Sequence, residues 1–335
     1  MKFDFVIGNP PYMEQTESES TRMPPVYNYF MDEAYKIADV VELITPARFL
    51  FNAGYTPTTW NEKMLNDEHL KVEYYEPDSS RIFPNTDIKG GVVISYRNRK
   101  EYFGKIGIFT KYPELNSILH KVDLISIGYL DKIIFSPLSY QLSELMKQEN
   151  PTLVNRLRTS AFVNLADIFY ESNPCDGKEY MVMHGLLNHK RVIRYVRTDY
   201  IKDSANILNR YSVLLPKANG AGYFGETLSA PIIAKPNEGY TQTYIAIGAF
   251  DKEEDALSVE KYIKTKFARA MLGILKITQD CPKPKWKRVP MQDFSSSSDI
   301  DWLTSISNID KQLYKKYNLS DEEINFIETK VKEME

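Results

Sequence analysis

The chain has 335 residues, 43% hydrophobic and 26% charged, enough for roughly two or three domains with sizeable cores. No apolar run approaches the roughly 20 residues of a spanning helix, and the first residues lack signal-peptide architecture, so no membrane partner and a cytoplasmic location are expected. A net charge of −3 excludes a uniformly basic polymer binder: any nucleic-acid surface must come from segregated charge. Cys175 and Cys281 are too few for a disulfide framework or a cysteine zinc site and suit a reducing compartment, and no metal site is expected.

The first element is a short apolar strand, Asp4-Phe5-Val6-Ile7-Gly8, running directly into Asn9-Pro10-Pro11-Tyr12. Two prolines in succession fix φ and remove two backbone donors, so strand pairing must stop there. The result is a stiff corner carrying one amide and one phenol. In open α/β sheets ligands bind beyond the carboxyl ends of the strands. The plain alternative is a strand followed by a Pro-Pro turn, with Tyr12 as a packing aromatic.

At these residues the sequence resembles the methyltransferases that methylate adenine N6 in DNA, in particular the second half of the gamma-class, TaqI-like arrangement of type IIG restriction–modification methylases. The resemblance implies an α/β fold with the second half of a Rossmann-like methyltransferase sheet, S-adenosylmethionine as cofactor, double-stranded DNA as partner, and Asn9, Pro10, Pro11 and Tyr12 as catalytic residues. The chemistry accounts for the residue types. The adenine amine is a poor nucleophile because its lone pair is delocalised into the ring. Acceptance of both N6 hydrogens, by the Asn9 side-chain oxygen and the Pro10 carbonyl, favours the pyramidal amine without a titrating base. Tyr12 would stack on a flipped-out base.

Residues 13–26 are polar and charged without periodicity and read as a loop beside the corner. A helix over 27–38, a buried strand Val40–Thr45 stopped by Pro46, a helix from Ala47 to Ala53 and more helix over 58–67 follow. Strands at Lys71–Tyr75 and Gly91–Tyr96 complete an order that matches the later half of a methyltransferase sheet. Between the last two strands lies Arg81-Ile82-Phe83-Pro84. The resemblance implies that Phe83 stacks on the base opposite Tyr12. The alternative is a loop anchor in the core.

The same resemblance implies an earlier strand and Gly-rich turn for the cofactor, and no such unit is found. Ala218-Asn219-Gly220-Ala221-Gly222 lacks a clear helix after it and reads either as a loop approaching DNA backbone or as a flexible turn. A half sheet leaves Phe3–Ile7 as an exposed apolar edge. The expectation is therefore a fragment, a truncated gene product or half of a split enzyme, inactive alone. It would be completed by the missing N-terminal half or by a self-associated copy.

Residues 1–110 are thus expected to form a partial catalytic domain and 111–150 a bridge, with a strand at Ile106–Phe109 and helices over 113–121 and 137–148. A mixed α/β target-recognition domain over 151–292 and a helical segment over 293–335 follow. Strands are expected near 180–183, 191–197, 211–215, 231–234 and 243–248. One long helix is expected over 252–275, capped by Asp251. Basic residues cluster here, and phosphate contacts supply much of DNA affinity. The DNA-binding candidates are Lys190, Arg191, Arg194 and Arg197, then Lys283, Lys285, Trp286, Lys287 and Arg288; taken alone, each run could equally be a solvated face. His184 and His189 have no partners at a zinc spacing, and no nuclease constellation is found. A helix is expected from Asp301-Trp302, and Ser320 with Glu323 forms a capping box for the last one.

These observations lead to site-specific adenine-N6 methylation of DNA in a restriction–modification system. The alternative is a non-catalytic specificity or complementing subunit. An RNA or protein-glutamine methyltransferase sharing Asn-Pro-Pro-Tyr is disfavoured by the basic C-terminal region.

Overall fold

The computed structural model describes residues 3–14, 24–52, 55–88, 90–153 and 157–334. Most of the loop expected over 13–26 lies outside the described residues. The chain is mixed α/β and divides into two compact units, Met1–Asn116 and Ser117–Glu335.

The first unit is built on a four-stranded sheet of β1 (Phe3–Gly8), β2 (Ala38–Pro46), β3 (Leu70–Glu76) and β4 (Val92–Asn98), in the order β1-β2-β4-β3. β1 runs parallel to β2, and β4 is antiparallel to both β2 and β3. It follows that β1, β2 and β3 point the same way and that the loops after them emerge at one edge of the sheet. α1 (Tyr27–Ile37), α2 (Thr58–Leu65) and a 3-10 turn at Ala47–Phe51 supply the core that packs with β2 and β4. Tyr27, Phe49 and Trp60 form an aromatic cluster there, with Phe49 and Trp60 at 5.4 Å. The Trp60 indole N–H donates to Asp32 at 3.1 Å, which satisfies its polar atom within the core. Each such buried aromatic contributes roughly 2–3 kcal/mol of transfer free energy.

On β1, by contrast, Phe3, Phe5 and Ile7 are 48%, 65% and 75% exposed, and its outer edge has no partner among the described residues. The expected Ala47–Ala53 helix is the 3-10 turn, closed by Asn52 in the left-handed region; Ala53 is outside the described residues. Ile106–Phe109 is not a strand: Ile106 and Phe109 pack on the core from an irregular segment. α3 (Pro113–Ile125) runs longer than expected.

In the second unit one sheet joins β5 (Ile134–Phe135), β10 (Tyr211–Pro216), β11 (Ile232–Ala234) and β13 (Tyr244–Phe250), in the order β11-β10-β13-β5. A second joins β7 (Tyr180–Leu187), β8 (Lys190–Arg197) and β12 (Glu238–Tyr240), in the order β12-β7-β8, and β6 (Tyr140–Leu142) pairs with β9 (Ile201–Asp203). Leu214, Ala234 and Ala246 of the first sheet share one core with Met181, Met183, Val196 and Tyr240 of the second. The short helices α4 (Glu144–Glu149) and α5 (Ala161–Asn164) add Met146, Ala161 and Phe162 to that core.

The helix expected over 137–148 therefore begins only at Glu144, capped by Ser143, because Tyr140–Leu142 is taken up by pairing with β9. The long helix is two, α6 (Glu253–Lys264) and α7 (Lys266–Gly273). Thr265 leaves the helical region (φ −57°, ψ 149°) and its hydroxyl accepts from the Ala268 N–H, starting a new helix. Asp251 does not cap α6; Lys252 holds that position, with no side-chain cap. The expected helix from Asp301 starts only at α8 (Ile306–Lys316), capped by Ser305, and α9 (Asp321–Lys330) carries the capping box of Ser320 and Glu323. Among the described residues no helix is long and apolar enough to cross a membrane, and no group of three or more His, Cys, Asp or Glu is placed to hold a metal ion.

Candidate active site at the carboxyl edge of the first sheet

β1 delivers Asn9-Pro10-Pro11-Tyr12 at the edge where the parallel strands end. Its last paired residue is Gly8, opposite Leu43, after which the prolines end the ladder. The corner is tied down beyond the prolines: the Val26 N–H donates to the Tyr12 carbonyl at 3.1 Å and the Glu14 N–H to the Pro24 carbonyl at 3.0 Å. Asn9 and Pro11 are exposed, and Pro10 and Tyr12 half-buried. The Tyr12 phenol oxygen is shielded from solvent and lacks a partner at regular hydrogen-bond geometry. Burial raises its pKa, and the neighbouring Asn9 side chain opposes that rise.

The loop after β3 brings Phe83 to the same place. Its turn is stiff: the Phe83 N–H donates to the Ser79 carbonyl at 2.8 Å, the Thr86 hydroxyl donates to the Phe83 carbonyl at 2.7 Å, and Ser79 Oγ accepts from the Ile88 N–H at 2.8 Å. Gly91, at φ +77°, lets this loop pass the end of β3, since a Cβ there would lie 2.2 Å from the Glu76 carbonyl oxygen. Phe83 and Tyr12 lie with ring centroids 6.5 Å apart and planes at 68°. The two aromatics singled out in the sequence are therefore neighbours, edge to face.

The basic residues are brought together less evenly. Lys190 and Arg191 are exposed at the start of β8. Arg194 pairs with Glu171 at 3.0 Å, while Arg197 pairs with Asp199 and Glu149, each at 2.7 Å, and lies over the Tyr200 ring. Lys283 and Lys287 are exposed and Lys285 half-buried, but Trp286 is 1% exposed, its indole N–H aimed at the Cys281 carbonyl. The indole thus belongs to the core, and the charged groups this segment offers the surface are its cations. Arg288 pairs with Asp123 at 3.2 Å. His184 is buried against Glu238 at 3.0 Å. Lys217, absent from the site residues read in the sequence, lines a cavity with His189 and Arg191; its only signal is a cation directly after the buried β10.

The Ala218–Gly222 loop is closed by the protein itself. Glu226 accepts from the Ala221 and Gly222 N–H groups at 2.8 and 2.9 Å and pairs with the buried Lys276. Burial raises the Glu226 carboxyl, yet Lys276 and the two amides outweigh it and hold its pKa below the usual value. These donors are the kind that cradle an anion, and a resident carboxylate occupies them. The loop therefore does not fit a nucleotide-like cofactor, and the turn after β1 is Asn-Pro-Pro. Among the described residues we find no cradle suited to S-adenosylmethionine.

Residues 1–83 match the sequence model of the Eco57I restriction-modification methylase family, a span that includes both Asn9–Tyr12 and Phe83 and bears out the resemblance read there. An "Uncharacterized adenine-specific methylase" of Mycoplasma pneumoniae (strain ATCC 29342 / M129 / Subtype 1) is 26% identical over 144 residues, covering 40% of this chain and 34% of the relative. The chain thus spans about a third of that relative's length. Among solved structures, the type IIG restriction endonuclease BpuSI aligns with 92% of this chain and 49% of its own (9% identity, TM-score 0.32). The type IIL restriction-modification enzyme MmeI in complex with DNA aligns with 98% and 56% (10% identity, TM-score 0.32).

Proposed function

We propose that this chain carries the adenine-accepting half of a DNA adenine-N6 methyltransferase of a restriction–modification system, and that its second unit binds the DNA. One observation carries the reading: a parallel strand ends in Asn9-Pro10-Pro11-Tyr12, with Phe83 brought beside Tyr12 from the loop after β3. The family match over residues 1–83 and the adenine-specific relative support it.

In this reading a flipped adenine lies against Tyr12 and Phe83. Its two N6 hydrogens are accepted by Asn9 Oδ1 and the Pro10 carbonyl, which localises the lone pair on nitrogen. Both acceptors are neutral, and the prolines stiffen the backbone that carries them, which limits the reorganisation needed to stabilise charge as it develops. S-adenosylmethionine is the methyl donor such methylases imply. The described residues do not fit it, so the part assigned to this chain ends at presenting and activating the amine.

The exposed Phe3, Phe5 and Ile7 on β1, whose outer edge has no partner among the described residues, favour a second reading, a complementing subunit that needs a partner bearing the cofactor half. Equilibrium dialysis with S-adenosylmethionine tests that need: tight binding by this chain alone removes the requirement for such a partner. The primary test is methyl transfer from labelled cofactor to adenine in duplex DNA, by this chain together with the cofactor-binding half of a methylase. Transfer that Asn9→Ala abolishes is expected. Full transfer by Asn9→Ala ends the assignment.

A further inference from the structure

The β7–β8 hairpin turns through Asn188 and His189, both in the left-handed region (φ 48° and 62°). A two-residue turn of this kind favours Asn-Gly, so an imidazole stands where glycine is the easier residue. It stands at a cavity of about 320 Å³ lined by His189, Arg191, Lys217, Gln242, Tyr244 and Asp280, among others.

These groups come from separate stretches of chain, and backbone pairing fixes their frame. The Lys217 N–H donates to the Thr243 carbonyl at 2.9 Å, the Cys281 N–H to the Lys217 carbonyl at 2.7 Å, and Ala218 bridges Asp280. Arg191 and Lys217 form no ion pair among the described residues, whereas Arg194 and Arg197, further along the same strand, are each held by carboxylates. Asp280 is the single acid in the lining, against two cations and the imidazole.

We propose that this cavity is an anion subsite that takes one phosphodiester group of a polynucleotide backbone, gripped by Arg191 and Lys217 with His189 at the rim. It rests on the reading that the second unit binds DNA and specifies where one strand is held. Arg191 supplies a planar fork of donors and Lys217 a compact charge, the two forms of contact that phosphate oxygens accept best. Asp280, whose backbone pairs with Ala218 next to Lys217, opposes a phosphate placed against it, so the two cations and not the acid must set the sign of the cavity. The neutral Gln242 and Tyr244 leave the rest of the cavity without competing charge. A contact of this kind positions the duplex and carries no sequence information.

The test is fluorescence anisotropy of a labelled duplex with the full chain across a salt series. The variants are Arg191→Ala/Lys217→Ala and the charge-keeping Arg191→Lys/Lys217→Arg; thermal melts confirm folding, and inorganic phosphate serves as a competing probe. The alanine pair is expected to lose about tenfold in affinity near 0.1 M salt on any sequence and about one unit of salt slope, while the charge-keeping pair retains the slope. Phosphate should compete against wild type more strongly than against the alanine pair. Unchanged affinity and slope in the alanine pair, with wild type still binding, overturns the subsite and leaves DNA binding standing. A wild-type chain that binds no duplex overturns both.

Discussion

Tyr12 and Phe83 face each other edge to face at 6.5 Å, with ring planes at 68°. A base inserted between two parallel rings needs two van der Waals spacings, roughly 7 Å, so the separation is close to what such a slot requires while the orientation is not. The edge-to-face contact satisfies both rings. On the proposed function, admitting a base would cost that contact and return two stacking faces.

The two rings should then matter to base capture separately and together. Replacing either by alanine is expected to weaken capture of a flipped base by about 10- to 100-fold, in line with roughly 1–3 kcal/mol per stacked base. A duplex carrying 2-aminopurine at the target reports this directly. Tyr12→Ala and Phe83→Ala, in the assembly that methylates, should each reduce the fluorescence rise on binding while overall DNA affinity changes little. A full rise in both variants would leave the pair with a packing role only.

Gly91→Ala addresses the frame that holds Phe83. The new Cβ would lie 2.2 Å from the Glu76 carbonyl oxygen and 2.7 Å from Pro77 Cα, at φ +77°. Left-handed strain alone costs roughly 1–3 kcal/mol, and the clash adds to it. A stability loss of at least about 2 kcal/mol is expected in urea unfolding. A loss under about 0.5 kcal/mol would show that the loop can move aside, and that Phe83 is held less firmly than its hydrogen bonds indicate.

What could be read in the sequence was what local chemistry decides. Pro10 and Pro11 stop a strand wherever it lies, and the Ser320–Glu323 box starts a helix from four residues. The break at Thr265 is hidden because the apolar spacing runs on through it; its hydroxyl caps α7 locally, and a tertiary hold adds to this, with Asp310 of α8 accepting the Lys266 and Phe267 N–H groups at 3.0 and 2.9 Å. Charge runs misled in a similar way. Four cations around Trp286 resemble a surface patch, yet the indole is in the core, and the partners of Arg194 and Arg197 include Glu171 and Glu149, well separated in sequence. Convergence of Arg191 and Lys217 on one cavity depends on how β10 pairs, which no local pattern encodes.

Glu226 offers a test of the loop that it fills. Its carboxylate binds two backbone N–H groups and Lys276, whose side chain is only 4% exposed. Glu226→Ala leaves that ammonium buried without a counter-charge, which costs on the order of 3–5 kcal/mol. A large fall in melting temperature is expected, partly recovered by the double variant Glu226→Ala/Lys276→Met, which removes the stranded charge. If the double variant is no more stable than the single one, the loss comes from the two amides and not from Lys276.

Asp310 sets a pH dependence whose direction can be worked out. Burial pushes its carboxyl up to about 6 from 3.8, against the opposing pull of the Phe267 and Lys266 amides; Glu328 adds to the rise and Arg269 reduces it. Because the folded pKa lies above the unfolded one, the folded chain holds a proton that the unfolded chain releases between about pH 4 and 6. The contribution of this group to stability therefore falls as pH rises through that window, by on the order of 3 kcal/mol for a shift of about two units. It then stays constant above the folded pKa. Asp310→Asn keeps an acceptor for α7 and removes the titration. Urea midpoints from pH 4 to 7 should climb more steeply, or fall less, in Asp310→Asn than in wild type. Parallel profiles for the two proteins would mean that the amides at the start of α7 hold Asp310 ionised throughout, as a charged cap.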